Sequence, residues 1–174
     1  MNKKILRNQI INELKLSKHL DQHLYQQLFA HPDWQAADTV AITLSSAIEL
    51  DTAPLISAAH AAHKQVVVPR TLPGFQMEFV VYDNDTQLAQ TKFGIMEPQN
   101  GTVVPKTAID LIIVPGLCFA TQTNDRLGFG GGFYDRYLAD YQGHTISLAL
   151  PAQLCATPNW DVDKYDIKVQ TIIS

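Results

Sequence analysis

Residues 126–137 read RLGFGGGFYDRY, and this stretch constrains the chain more than any other. Glycines at 128, 130, 131 and 132 lie between arginines, and Asp135 closes the run. Glycine opens positive φ to the backbone and lets amides approach a bound group closely. Successive unobstructed N–H groups form an anion-binding nest, and flanking guanidiniums clamp phosphate through paired hydrogen bonds. Asp135 supplies a carboxylate where a magnesium ion bridging those phosphates needs one. The stretch therefore reads as a polyphosphate loop. It is not a dinucleotide fingerprint, because Phe133 stands where G-x-G-x-x-G requires its third glycine, and no Gly-Lys-Ser or Gly-Lys-Thr follows as in a P-loop. A flexible turn ahead of a helix would explain any one glycine, but not the arginines and the acid.

The rest of the chain alternates between strand and helix patterns. Leu6, Ile10 and Leu14, then Leu20, Leu24 and Leu28, recur every four residues, which predicts two N-terminal amphipathic helices meeting near Ser17, a plausible N-cap. Residues 39–44 read as a strand, Pro54 sits in the first turn of an alanine-rich helix reaching His63, and Val66, Val67 and Val68 form a buried strand ended by Pro69. That unit predicts a parallel pairing through the helix. Residues 77–82, 111–114, 146–150 and 169–173 read as further strands and 134–141 as a helix, whereas 83–109 are too polar to order. The fold class expected is α/β: a three-layer domain over 1–174 with a mostly parallel central sheet flanked by helices. Ligands of such sheets collect beyond the carboxyl ends of the strands, and the glycine loop, after the strand ending at Val114, falls there.

Composition narrows the function. A chain of 174 residues with 46% hydrophobic content can bury a core as one domain. With 13 basic against 17 acidic side chains, a net charge of -4 offers no general attraction to nucleic acid or to an anionic membrane, so any anion must be bound locally. Cys118 and Cys155, far apart and outside any C-x-x-C, read as buried thiols in a reducing compartment. Asn8, Gln9, Asn12, Glu13 and Lys15 interrupt any signal-peptide core, and no apolar run is long enough to span a membrane; a cytoplasmic protein is expected. The six histidines show no metal-ligand pattern, and Trp34 and Trp160 read as core aromatics.

The glycine stretch resembles the R-L-G-Y-G-G-G-Y-Y-D-R signature of the 5-formyltetrahydrofolate cyclo-ligase family, also called methenyltetrahydrofolate synthetase. The resemblance extends to KKILR at 3–7, SSAIELDT at 45–52, VPR at 68–70, MEF at 77–79, GIMEP at 94–98 and DLIIVPGL at 110–117, in the family's order. It implies an enzyme that uses ATP and Mg2+ to convert 5-formyltetrahydrofolate into 5,10-methenyltetrahydrofolate with release of ADP and phosphate. The formyl oxygen is phosphorylated, and N10 then attacks the activated carbon. Carried onto this chain, the resemblance places ATP on Lys3, Lys4, Arg7, Arg126, Leu127, Gly128, Phe129, Gly130, Gly131, Gly132, Phe133 and Tyr134. It places the reduced folate on Leu44, Glu49 and residues 129–133, and a second magnesium carboxylate at Asp166 beside Asp135. Lys3, Lys4 and Arg7 begin a helix, where cations oppose the macrodipole unless a phosphate docks among them. Glu49, between apolar neighbours, needs a hydrogen-bond donor that a pterin could supply. A monomer binding only reduced folate and ATP is expected.

The chain departs from the family at Ala120, where an acid is common, at Tyr165 before Asp166, at Gln170, and at Phe129 and Phe133, which replace tyrosines. These changes remove polarity while keeping shape, and they leave a non-catalytic folate-binding protein as a second reading. A sugar-phosphate isomerase, the third, explains neither KKILR nor the full glycine motif.

Overall fold

The computed structural model describes residues 2–92 and 94–174. Helix α1 (Lys3–Leu14) is capped by Asn2, whose side chain accepts from Lys4 N, and it buries Leu6, Ile10 and Leu14. Helix α2 (Gln22–Ala30) buries Leu24, Tyr25 and Leu28, but its N-cap is Asp21 rather than Ser17, because that carboxylate accepts from both His23 N and Leu24 N. Ser17 instead closes α1, its Oγ donating to Glu13 O at 2.9 Å. Leu20 falls outside both helices and is exposed. A short helix that the periodicity did not reveal, α3 (Pro32–Ala36), seats Trp34 in the core.

Strand β1 (Thr39–Ala41), helix α4 (Ala53–Ala61) and strand β2 (Gln65–Leu72) form the expected parallel unit, with Val40 opposite Val66. β1 stops three residues early because Thr52 and Ser45 capture the following backbone: Thr52 Oγ1 donates to Thr43 O and accepts from Ser45 N, and Ser45 Oγ accepts from Thr52 N. β2, in contrast, runs through Pro69. Its register with β1 ends at Val67, so the proline leaves no gap in the parallel ladder. It then continues against antiparallel β3 (Gln76–Val81), pairing as far as Leu72 with Gln76. The region 83–109, whose composition predicts no order of elements, contains short β4 (Leu88–Gln90), β5 (Met96–Pro98) and β6 (Val103–Val104).

β7 (Leu111–Ile113) does not lead directly into the glycine loop as expected. The hairpin β8 (Cys118–Ala120) and β9 (Arg126–Leu127) intervenes, and the loop leaves β9 for α5 (Phe133–Leu138). α5 ends early, and Tyr141 OH donates instead to Ile109 O. β10 (His144–Leu148), β11 (Leu154–Cys155) and β12 (Thr171–Ile173) complete the chain. β11 pairs with β8 and brings Cys118 Sγ within 3.6 Å of Cys155 Sγ, so the two thiols are far apart only in sequence. Burial pushes the Cys118 thiol up to about 12.

The main sheet runs β12-β10-β7-β1-β2-β3-β6, and every pairing is parallel except the two that the reversed strand β3 makes with β2 and β6. Strand residues alternate between two cores. Val40, Val66, Val68 and Leu111 face α1–α4, while Ala41, Val67 and Ile112 face Tyr137 and Leu138 of α5, giving the three layers expected. Each fully buried Leu or Val contributes roughly 1.5–3 kcal/mol. From β1 the chain proceeds to β2 on one side and later to β7 on the other. That reversal is a topological switch point, where the loops leaving β1 and β7 diverge and open a crevice at the carboxyl edge.

Candidate functional site

A cavity of about 780 Å³ lies at that edge and brings together four parts of the chain: the start of α1, Gln76 at the start of β3, the glycine loop with α5, and residues 163–167. Five cationic side chains line it, Lys3, Arg7, Arg126, Arg136 and Lys164, against the carboxylates of Asp135, Asp163 and Asp166. The local cationic excess contrasts with the protein's net charge of -4. This is the electrostatic signature of a site for a polyanion.

Arg126 is its most constrained cation. β9 carries it into the interior, where it is 5% exposed. Its Nη1 donates to Pro115 O at 3.0 Å and its Nη2 to Asp135 Oδ1 at 2.8 Å, while Nε is buried without a partner. The guanidinium carbon also lies 5.9 Å from the Tyr134 ring centre. Tyr134 OH is likewise buried and unpartnered, and burial pushes its phenol far above the ordinary range. Orphaned buried polar groups are uncommon and costly, and two of them meet here.

The glycines do less for φ and more for close approach than their number suggests. Gly130 and Gly132 use positive φ, at 113° and 67°; Gly128 and Gly131 do not. A Cβ on Gly128 would come within 2.9 Å of Arg126 Nη1, and one on Gly132 within 2.6 Å of Arg136 Nη1. The missing side chains thus let guanidiniums lie against the loop. Arg7 joins them from α1, its Nε donating to Gly128 O at 2.8 Å, and Arg136 Nη1 donates to Gly131 O at 3.0 Å.

The predicted metal carboxylates both line this cavity. Asp135 Oδ1 accepts from Arg126 and from Ile167 N, which ties the residue after Asp166 to Asp135. Asp166 Oδ2 accepts from Lys3 Nζ at 2.7 Å and from Asp163 N at 2.9 Å. Burial alone would lower the Lys3 pKa, but its bonds to Asp166 and Asp163 outweigh that and hold it above the usual lysine value. Asp163 is held low by the Tyr165 amide first and Lys3 second. Among the described residues no group of three or more His, Cys, Asp or Glu could hold a metal by itself. Two carboxylates beside an excess of cations nonetheless suit a magnesium ion, which takes one or two carboxylates and fills its octahedron with other oxygen ligands and water.

The other predicted residues divide. Glu49 is half-buried beside a 40 Å³ cleft between the loops leaving β1 and β7, and its donor in this structure is internal: Ser46 N and Oγ both bond Oε2. Leu44 packs partly buried against the larger core. Lys4 is exposed and is not among the cavity's lining residues. Phe129 is 45% exposed, and Phe133 packs into the α5 core. Arg136, Gln76, Lys164 and Tyr165 line the cavity without having been singled out as site residues. Arg136 could have been read from the motif, of which it is the penultimate residue; Gln76 could not, since only the β2–β3 hairpin brings it there. Trp34 and Trp160 are core residues as expected.

The 5-formyltetrahydrofolate cyclo-ligase family matches residues 2–174. The chain belongs to the 5-formyltetrahydrofolate cyclo-ligase family. It is 32% identical over 169 residues to the 5-formyltetrahydrofolate cyclo-ligase of Haemophilus influenzae, covering 91% of this chain and 90% of that protein. It is 30% identical over 162 residues to the Escherichia coli K12 cyclo-ligase, covering 90% and 88%. Among solved structures, the Aquifex aeolicus 5,10-methenyltetrahydrofolate synthetase superposes with a TM-score of 0.82 at 27% identity over 99% of this chain and 89% of that one. The Mycoplasma pneumoniae synthetase shares the fold, with a TM-score of 0.78 at 24% identity, covering 99% and 98%. Membership of the cyclo-ligase family makes this an enzyme of folate metabolism. No helix among the described residues is long and apolar enough to cross a membrane.

Proposed function

We propose that the protein closes the imidazoline ring of 5,10-methenyltetrahydrofolate from 5-formyltetrahydrofolate, with ATP as the phosphoryl donor. The cationic cavity at the carboxyl edge carries this reading, because a reduced folate alone does not call for five converging cations. A formyl amide is resonance-stabilised and its oxygen leaves poorly. Transfer of the γ-phosphoryl group to that oxygen makes it a phosphate ester, N10 forms the new C–N bond and gives up its proton to solvent or to the departing phosphate, and the C–O bond breaks with release of phosphate. The protein contributes alignment and charge stabilisation rather than a covalent intermediate.

Arg126, Arg7 and Lys3 would hold the phosphate oxygens, with Arg136 at the far side of the loop. Glu49 would turn from Ser46 towards the pterin, and Leu44 would pack on it. Asp135 and Asp166 would hold magnesium, which offsets charge on the phosphates. In the structure described here Lys3 neutralises Asp166 and Arg126 neutralises Asp135, so cation and carboxylate stand in for the phosphate and metal each would otherwise bind. Binding of magnesium-ATP exchanges one set of ion pairs for another, which limits the net desolvation cost.

The test is a spectrophotometric assay of the purified protein with 5-formyltetrahydrofolate, following methenyl absorbance with and without magnesium and ATP. Product only when both are present supports the reading. Folate binding by calorimetry without product under any condition would make this a binding protein, as the lost polarity at Ala120, Phe129 and Phe133 permits.

A further inference from the structure

We propose that Phe75, at the tip of the β2–β3 hairpin, is a specificity-determining residue that packs on the p-aminobenzoyl ring of the reduced folate. This rests on the folate reading above. Because the β1 register ends at Val67 while the β3 register continues to Leu72, the hairpin projects past the carboxyl edge of the sheet. There it meets the glycine motif. The Phe75 ring centre lies 5.8 Å from that of Phe133, tilted by 54°, and 5.5 Å from the Arg136 guanidinium carbon.

Phe75 has a φ of 59°, a left-handed conformation that suits Gly or Asn and costs conformational energy in a bulky residue. It is also 57% exposed, so the burial of its ring does not offset that cost. A turn selected only for stability would carry a small or polar residue here. The neighbouring Gln76 and Arg136 line the cavity, so the exposed ring of Phe75 stands at the rim of the site.

A flat apolar ring is the ligand that such a face recognises. The hairpin leaves β2, the neighbour of β1, and the loop that follows β1 carries Leu44 and Glu49, whereas Lys3 and Asp166 mark the proposed phosphate end. If the pterin lies deep against Glu49, the p-aminobenzoyl ring is the part of the substrate that reaches the rim.

Phe75→Ala, Phe75→Gly and Phe75→Trp test this once cooperative thermal melts show that each is folded. Phe75→Gly also relieves the backbone, which separates the ring from the strain. Both ring-deleting variants should raise KM for 5-formyltetrahydrofolate about tenfold, with kcat and the KM for ATP within about twofold of the parent, and Phe75→Trp should restore it. A 5-formyltetrahydropterin lacking the p-aminobenzoyl arm should show no difference between parent and variants. A rise in the KM for ATP instead, no rise in either KM, or an equal loss with the truncated pterin would overturn the proposal. If the parent forms no product, the proposed function fails separately. The calorimetric Kd for 5-formyltetrahydrofolate, compared between parent and Phe75→Ala, then decides the inference.

Discussion

The two ends of the central sheet each carry a cavity, of about 780 Å³ at the carboxyl edge and about 600 Å³ at the amino edge, yet they are built to opposite electrostatic plans. At the carboxyl edge five cations face three carboxylates, and Arg126 Nε is buried without a partner. At the amino edge Asp33, Asp110 and Asp140 face Lys106 and His144, and the fold itself uses these charges. Asp110 Oδ2 accepts from Asp38 N and Thr39 N at the start of β1, Lys106 pairs with Asp140, and the rings of His31 and His144 flank Asp33. Size alone does not identify a ligand site. What sets the carboxyl-edge cavity apart, and supports its proposed role, is its excess of cations with incomplete internal pairing.

That contrast breaks most readily at Arg126. Arg126→Ala should lower kcat/KM for ATP by at least about 100-fold, the scale of removing one preorganised donor to developing charge, while leaving a cooperative melt. Initial rates and circular dichroism check both parts. Near-parental activity would remove the carboxyl-edge cavity as the nucleotide site. Asp135→Asn should raise the magnesium concentration needed for half-maximal rate by about tenfold, since a charge-assisted bond is worth roughly 1.5–3 kcal/mol; a magnesium titration at fixed ATP reads it.

The amino edge should respond in stability rather than in rate. Asp110→Ala removes the acceptor for two amides and should cost about 1 kcal/mol in urea unfolding, with kcat/KM unchanged within about twofold. A larger catalytic than stability effect would erase the distinction between the two ends.

The smallest effect is expected behind the carboxyl edge, at Cys118. Its folded pKa of about 12 lies above an unfolded value near 8.5. The folded state therefore holds a proton that the unfolded chain releases, and the associated stability is complete below about pH 8.5 and declines as pH rises towards the folded value. Melting temperature should fall gently above that pH, and less so in Cys118→Ala. Alkylation followed by mass spectrometry between pH 7 and 9 should label Cys155 before Cys118.

Much of this was legible along the chain. Apolar spacing of four placed α1 and α2, β-branched runs placed the central strands, and Pro54 marked α4, because these signals report local geometry and one-sided burial. The helix cap was misread at Ser17 because Asp21, four residues on, makes two bonds where a hydroxyl makes one. β1 looked longer than it is, since 42–44 have strand composition, but the Thr52 hydroxyl takes Thr43 O and the Ser45–Thr52 bonds turn the chain away from the sheet. Region 83–109 could not be ordered, since its strands are two or three residues long and depend on their partners for form.

The sequence by itself determined the chemistry available: arginines beside glycines, a carboxylate after them, and a basic helix start, all within local reach or a recognisable motif. Only the tertiary structure decided which groups meet. Lys3 joins Asp166 across 163 residues, Arg7 reaches Gly128, Cys118 lies against Cys155, and Phe75 arrives over Phe133 because β2 outruns its neighbour. Contacts of that separation depend on sheet order and strand register, which arise from the packing of the whole core and leave no periodic mark on the residues that they bring together.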